Sequence, residues 1–98
     1  MREISPKEVE EMINNSKDIN LIDVREDDEV AEGKIPGAVH IPLGSVESRM
    51  NELDKSKEYV MVCRSGGRSG RACQLLESQG FEVINMNGGM LAWEGKTE

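Results

Sequence analysis

At 98 residues, the chain is sized for one domain spanning 1–98. Its 12 Lys and Arg against 19 Asp and Glu give a formal charge of −7, which argues against non-specific nucleic-acid binding. No apolar run approaches the ~18 residues of a membrane span, and nothing after Met1 has the basic, apolar, small-residue layout of a secretory signal; the expectation is a soluble, cytoplasmic protein without a membrane partner. Two cysteines, Cys63 and Cys73, are too few for a disulfide scaffold. With His40 as the one histidine they match no zinc spacing, so the reading is a reducing compartment, at least one free thiol and no metal.

In chain order, Ser5-Pro6-Lys7-Glu8 opens a helix, with Ser5 as N-cap, Pro6 in the first turn and Glu8 closing a capping box. Val9, Met12 and Ile13 give it an apolar stripe, and Asn14-Asn15-Ser16 ends it. Ile19–Val24 predicts a strand whose apolar run, broken by Asp23, fits burial on both faces. An acidic, helix-compatible stretch follows Arg25 as far as Glu32 and stops at Gly33. Pro36 and Pro42 flank a short strand over Ala38–Ile41, placed at a sheet edge because proline cannot donate to a ladder. Val46–Leu53 is weakly helical, Tyr59–Val62 a strand, and Ser69–Gln79 a helix closed by Gly80. Phe81–Met86 is the last strand, and after Asn87-Gly88-Gly89 a short helix is expected over Met90–Glu94.

Strands alternating with helices predict an α/β domain with a mainly parallel sheet, in which ligands bind beyond the carboxyl ends of the strands. Cys63 sits at such an end. The Gly66-Gly67 pair permits a tight curl, a curl turns successive N–H groups inward, and the helix that follows adds its positive end; a thiolate there is stabilised. Half of the six arginines, Arg64, Arg68 and Arg71, lie in this segment, while the acids spread over Glu8–Asp28 and Glu47–Glu58. That positive spot suggests a small anionic ligand or a negatively charged partner group. The bland alternative for Cys63 is a small buried side chain, but burial of a thiol needs neither the glycines nor the arginines. Cys73, on the core face of the helix with Ala72 and Leu76, reads as packing.

The segment CRSGGRS followed by an amphipathic helix resembles the active-site loop of the rhodanese family, the single-domain sulfurtransferases. LIDVRE (21–26) resembles that family's second strand, GKIPGAVHIP (33–42) its strand-entry motif, and NMNGGMLAWEGK (85–96) its ending. The resemblance implies a rhodanese-like fold with a five-stranded, mostly parallel sheet flanked by helices on both faces. It also implies a ping-pong reaction. Cys63 takes a sulfane sulfur from a small anionic donor, thiosulfate or a low-molecular-weight persulfide, and passes it as a persulfide to a thiol or cyanide acceptor, protein thiols included. Neither metal nor organic cofactor is implied.

Cys63 through Arg68 is six residues, the length of sulfurtransferase members; phosphatases of the fold carry one more. A phosphatase or arsenate reductase is the second reading. A non-catalytic rhodanese-like interaction module is the third, and such modules often lack the cysteine. By resemblance, Cys63 is the nucleophile. The backbone N–H groups of Arg64, Ser65, Gly66, Gly67, Arg68 and Ser69 form the persulfide cradle. Arg68, and after it Arg64, would orient the donor, Arg71 would widen the positive rim, and Asp23 with Arg25 would support the loop as an ion pair. His40 is expected in packing and hydrogen bonding rather than as a base. Lys34 stands where the family commonly has histidine. Trp93, Leu91 and Met90 are expected to cap the core, with the six methionines as core filler.

Overall fold

Ser5 accepts the Glu8 N–H at 3.1 Å while the Glu8 carboxylate accepts the Ser5 N–H at 3.3 Å, so the expected capping box starts the first helix. The computed structural model describes residues 1–98. In chain order it runs β1 (Arg2–Ile4), α1 (Pro6–Asn14), β2 (Asn20–Asp23), α2 (Asp27–Ala31), β3 (Val39–His40), α3 (Val46–Arg49), β4 (Glu58–Val62), α4 (Gly67–Ser78) and β5 (Glu82–Met86). Short 3₁₀ turns cover Leu43–Ser45, Met50–Glu52 and Gly89–Ala92. The five strands form one sheet in the order β1-β5-β4-β2-β3, and every pairing is parallel.

Side chains alternate across the central strand β4 and so divide the core in two. Tyr59, Met61 and Cys63 face a cluster with Ile22, Val24, Ala72, Cys73, Leu76 and Phe81, which beds α4. Val60 and Val62 face Val9, Leu21, Ile35, Ile84 and Met86, which beds α1. Helices therefore cover both faces, and β2, β4 and β5 are buried on both sides as their apolar runs predict. No helix is long and apolar enough to cross a membrane.

The departures from expectation are local. β1 has no apolar periodicity in Arg-Glu-Ile, yet it pairs Arg2 with Ile84 and Ile4 with Met86 at the sheet edge. The weakly helical 46–53 stretch is one turn of α3 followed by a 3₁₀ turn, and the expected terminal helix is the 3₁₀ turn Gly89–Ala92. Met90 and Trp93 pack against the second cluster, but Leu91 is 65 % exposed and caps nothing. Helix α4 begins at Gly67, two residues ahead of the Ser69 start expected from sequence, with Gly66 as N-cap in the left-handed region, φ +105°.

Candidate active site

β4 ends at Val62 and delivers Cys63, which is 1 % exposed, to the carboxyl edge of the sheet. Beside it β2 leaves the sheet, held by the Val24 N–H on the Val62 carbonyl at 2.8 Å. The left-handed Gly66 turns its N–H onto Cys63 Sγ at 2.9 Å, a conformation that side-chain-bearing residues rarely adopt. The Ser69 hydroxyl lies 3.3 Å from the same sulfur, and the Ser65 and Ser69 N–H groups also act on it. Burial alone would push the Cys63 thiol up. The Ser69 hydroxyl and these backbone donors outweigh burial and hold its pKa below the ordinary value.

Ser69 thus sits inside the first turn of α4 and turns its side chain to the sulfur rather than capping the helix. Its single hydroxyl proton has Asn85 Oδ1 and, at 3.2 Å, the Gly66 carbonyl as alternative acceptors to the sulfur. Asn85, on β5 and 4 % exposed, donates Nδ2 to that carbonyl at 3.1 Å. Sequence reasoning passed over Asn85, although a polar residue interrupting the apolar run of β5 is the same signal that singled out Asp23 on β2.

The turn after β5 clamps the loop from outside. Met90 N–H donates to the Cys63 carbonyl at 2.8 Å and Leu91 N–H to the Arg64 carbonyl at 2.9 Å. In a trans peptide the N–H points opposite to the C=O, so pulling these carbonyls outward turns the N–H groups of Arg64 and Ser65 inward. The approach is close enough that a Cβ on Gly89 would lie 2.5 Å from the Cys63 and Arg64 backbone.

A chain of ion pairs fixes the other side. Asp23 is fully buried and Arg25 6 % exposed; Nε and Nη2 of Arg25 reach the Asp23 carboxylate at 3.0 and 2.8 Å. The same guanidinium donates to the Gly33 carbonyl at 2.8 Å and the Glu29 carbonyl at 3.3 Å. Glu29, on α2, grips Arg68 with both carboxylate oxygens, at 2.6 and 2.7 Å. The Arg68 guanidinium holds the Glu29 carboxyl down to about 2. Because the folded value lies below the ordinary 4.5, the pair's stabilisation is complete above about pH 4.5 and is lost as pH falls toward 2.

Arg64 and Arg71 are exposed and have no acidic partner within ion-pair distance. A depression of about 200 Å³ beside the loop is lined by Arg25, Glu29, Glu32, Arg64, Met90 and Leu91. His40 donates Nε2–H to the Arg25 carbonyl at 2.7 Å, and its other ring nitrogen lies 3.9 Å from Asp27; it buttresses the Arg25 turn. Lys34 donates to the Ala38 carbonyl at 3.1 Å and pairs with Glu98. No three His, Cys, Asp or Glu side chains converge as a metal would need.

Cys73 shares the core with Cys63 but has no such donors, and burial pushes its thiol up to about 12. Iodoacetamide should therefore label Cys63 alone in the folded protein, with a rate that levels off at a lower pH than that of a free cysteine. Equal labelling of both thiols, or a Cys63 profile matching free cysteine, would contradict this electrostatic picture.

Residues 5–96 match the family model of the Rhodanese-like domain. The chain belongs to the rhodanese family. A rhodanese-family relative from Bacillus subtilis, YtwF, is 53 % identical over 98 residues, covering 100 % of this chain and 95 % of that one; its name gives it as a candidate sulfurtransferase. A protein of Allochromatium vinosum named as a sulfurtransferase is 37 % identical over 94 residues, 95 % of this chain and 88 % of that one. The crystal structure of a rhodanese-like domain protein from Staphylococcus aureus superposes with a TM-score of 0.95 at 35 % identity, covering 100 % of this chain and 97 % of that one.

Proposed function

We propose that this rhodanese-family chain is a sulfurtransferase that carries sulfur as a persulfide on Cys63. The observation that carries the reading is the cradle: a thiol whose sulfur receives the Gly66 N–H at 2.9 Å at the start of α4. Such a ring of donors stabilises a thiolate before transfer and a terminal persulfide sulfur after it. The names of the two relatives above point to the same chemistry.

In the first half-reaction the Cys63 thiolate attacks the outer sulfur of a sulfane donor. A Cys63–sulfur bond forms, the donor's sulfur–sulfur bond breaks, and the pair of electrons leaves with sulfite or with the donor's thiolate. In the second, a thiol or cyanide attacks the terminal sulfur and the Cys63 thiolate departs. Splitting the transfer into two displacements at sulfur is nucleophilic covalent catalysis. The Ser65, Gly66 and Ser69 N–H groups accommodate the charge throughout, and Asp23, Arg25 and the Glu29–Arg68 pair hold the loop in place. Arg68, first in line from sequence to meet the donor, is engaged by Glu29; Arg64 and Arg71 are left without an acidic partner.

Incubation with thiosulfate or cysteine persulfide, followed by intact-mass measurement, should show the gain of one sulfur atom. The gain should vanish in Cys63→Ala and persist in Cys73→Ala. Failure of the wild type to load sulfur from any sulfane donor would sink the reading.

A further inference from the structure

A thiosulfate ion brings two negative charges to Cys63, whereas the persulfide of a thiol or a thiosulfonate brings one at its reacting end. The charge waiting around the loop discriminates between them. Three arginines lie there, Arg25, Arg64 and Arg68, and three carboxylates accompany them. Asp23 is bonded to Arg25, Glu29 grips Arg68 with both oxygens, and Glu32 lines the same depression as Arg64. The donors of Arg25 are spent on Asp23 and on the carbonyls of Glu29 and Gly33. Only Arg64 among these cations is unpaired. Of the positive spot that the sequence suggested, Arg68 is neutralised by Glu29, while Arg64 and Arg71 stay unpaired, on a body that carries −7.

We propose that Glu29 is a specificity-determining residue: by neutralising Arg68 it suits the site to singly charged sulfane donors, R–S–S⁻ or R–SO₂–S⁻, and against the thiosulfate dianion. The inference rests on the sulfurtransferase reading above. Glu29 touches no reacting atom; it acts through Arg68 and through its own field. Both donor types load Cys63 by the same displacement. With thiosulfate the leaving group is sulfite, and with methanethiosulfonate it is methanesulfinate, and neither reaction needs a further oxidant or reductant. The two probes thus deliver the same sulfur and differ by one charge on a group of similar size.

The test compares kcat/KM for thiosulfate and methanethiosulfonate, with cyanide as acceptor, in the wild type, Glu29→Gln and Glu32→Gln. The wild type should prefer methanethiosulfonate. Removing the Glu29 charge should raise kcat/KM for the dianion roughly tenfold, as expected for one nearby charge at a partly screened surface. Because the interaction energy scales with the charge on the donor, the monoanion should gain only about the square root of that, roughly threefold. Glu32 is exposed and makes no ion pair, so Glu32→Gln should shift the ratio the same way, by less, without disturbing the loop. It also carries the test if Glu29→Gln fails to fold. A wild-type preference for thiosulfate, or equal factors for both donors in both variants, would overturn the proposal. Absence of sulfur loading from either donor would instead strike at the sulfurtransferase reading beneath it.

Discussion

Gly89→Ala is expected to slow the sulfur loading proposed for Cys63 by about a hundredfold, the scale on which a 1 Å misplacement of a reacting group is felt. The added methyl would lie 2.5 Å from the Cys63 carbonyl oxygen and from the Arg64 carbonyl carbon and oxygen. All three are backbone atoms of the cradle, so none can swing aside as a side-chain tip would. The residue also holds φ +56°, which costs a side-chain-bearing residue roughly 1–2 kcal/mol. Relief requires the 63–64 backbone to retreat, breaking the Met90 and Leu91 clamps and turning the Ser65 N–H off the sulfur. Gly44→Ala is the control, since a Cβ there meets nothing within 4 Å. Single-turnover loading followed by mass would decide the matter; a near-wild-type rate in Gly89→Ala would refute the clamp.

Asp23→Asn should give the largest loss of stability, about 3–5 kcal/mol, because it strands a buried guanidinium beside a neutral partner. For a chain of 98 residues that lowers Tm by more than about 10 °C. The carboxylate accepts from Arg25 Nε, Nη2 and backbone N–H, and asparagine would set an NH₂ against some of these donors. Replacing both members together, Asp23→Leu with Arg25→Met, should recover part of the loss, since no charge is then buried alone. Thermal melts of the three variants would test it; a single-variant change below about 1 kcal/mol would mean that water reaches the pair.

Much of the architecture is written in short apolar runs. Leu21-Ile22 and Val60-Met61-Val62 are recognisable because strands buried on both faces leave little room for polar residues, which also makes Asp23 conspicuous. β1 is hidden for the opposite reason: three residues at a sheet edge carry no period, and their pairing is dictated by β5. Ser69 misleads because a serine ahead of a helical pattern looks the same whether it caps a backbone N–H or faces a sulfur. Glu29 is illegible among Glu26, Asp27 and Asp28, since nothing local distinguishes the acid that meets an arginine 39 residues away from those left in water. Leu91 is apolar and close to Trp93, so its exposure follows only from the path of the 3₁₀ turn.

The clamp on the Cys63 carbonyl comes from Met90, and the far strut from Glu29, so the cradle draws on three separate stretches of chain. No local fragment around Cys63 can assemble it. The lowered thiol pKa is consequently a property of the completed fold, and the pH at which the thiol begins to react becomes an internal gauge of nativeness. A chain still folding, or one opened at its last turn, carries an ordinary cysteine, less ionised at a given pH than the same thiol in its finished surroundings.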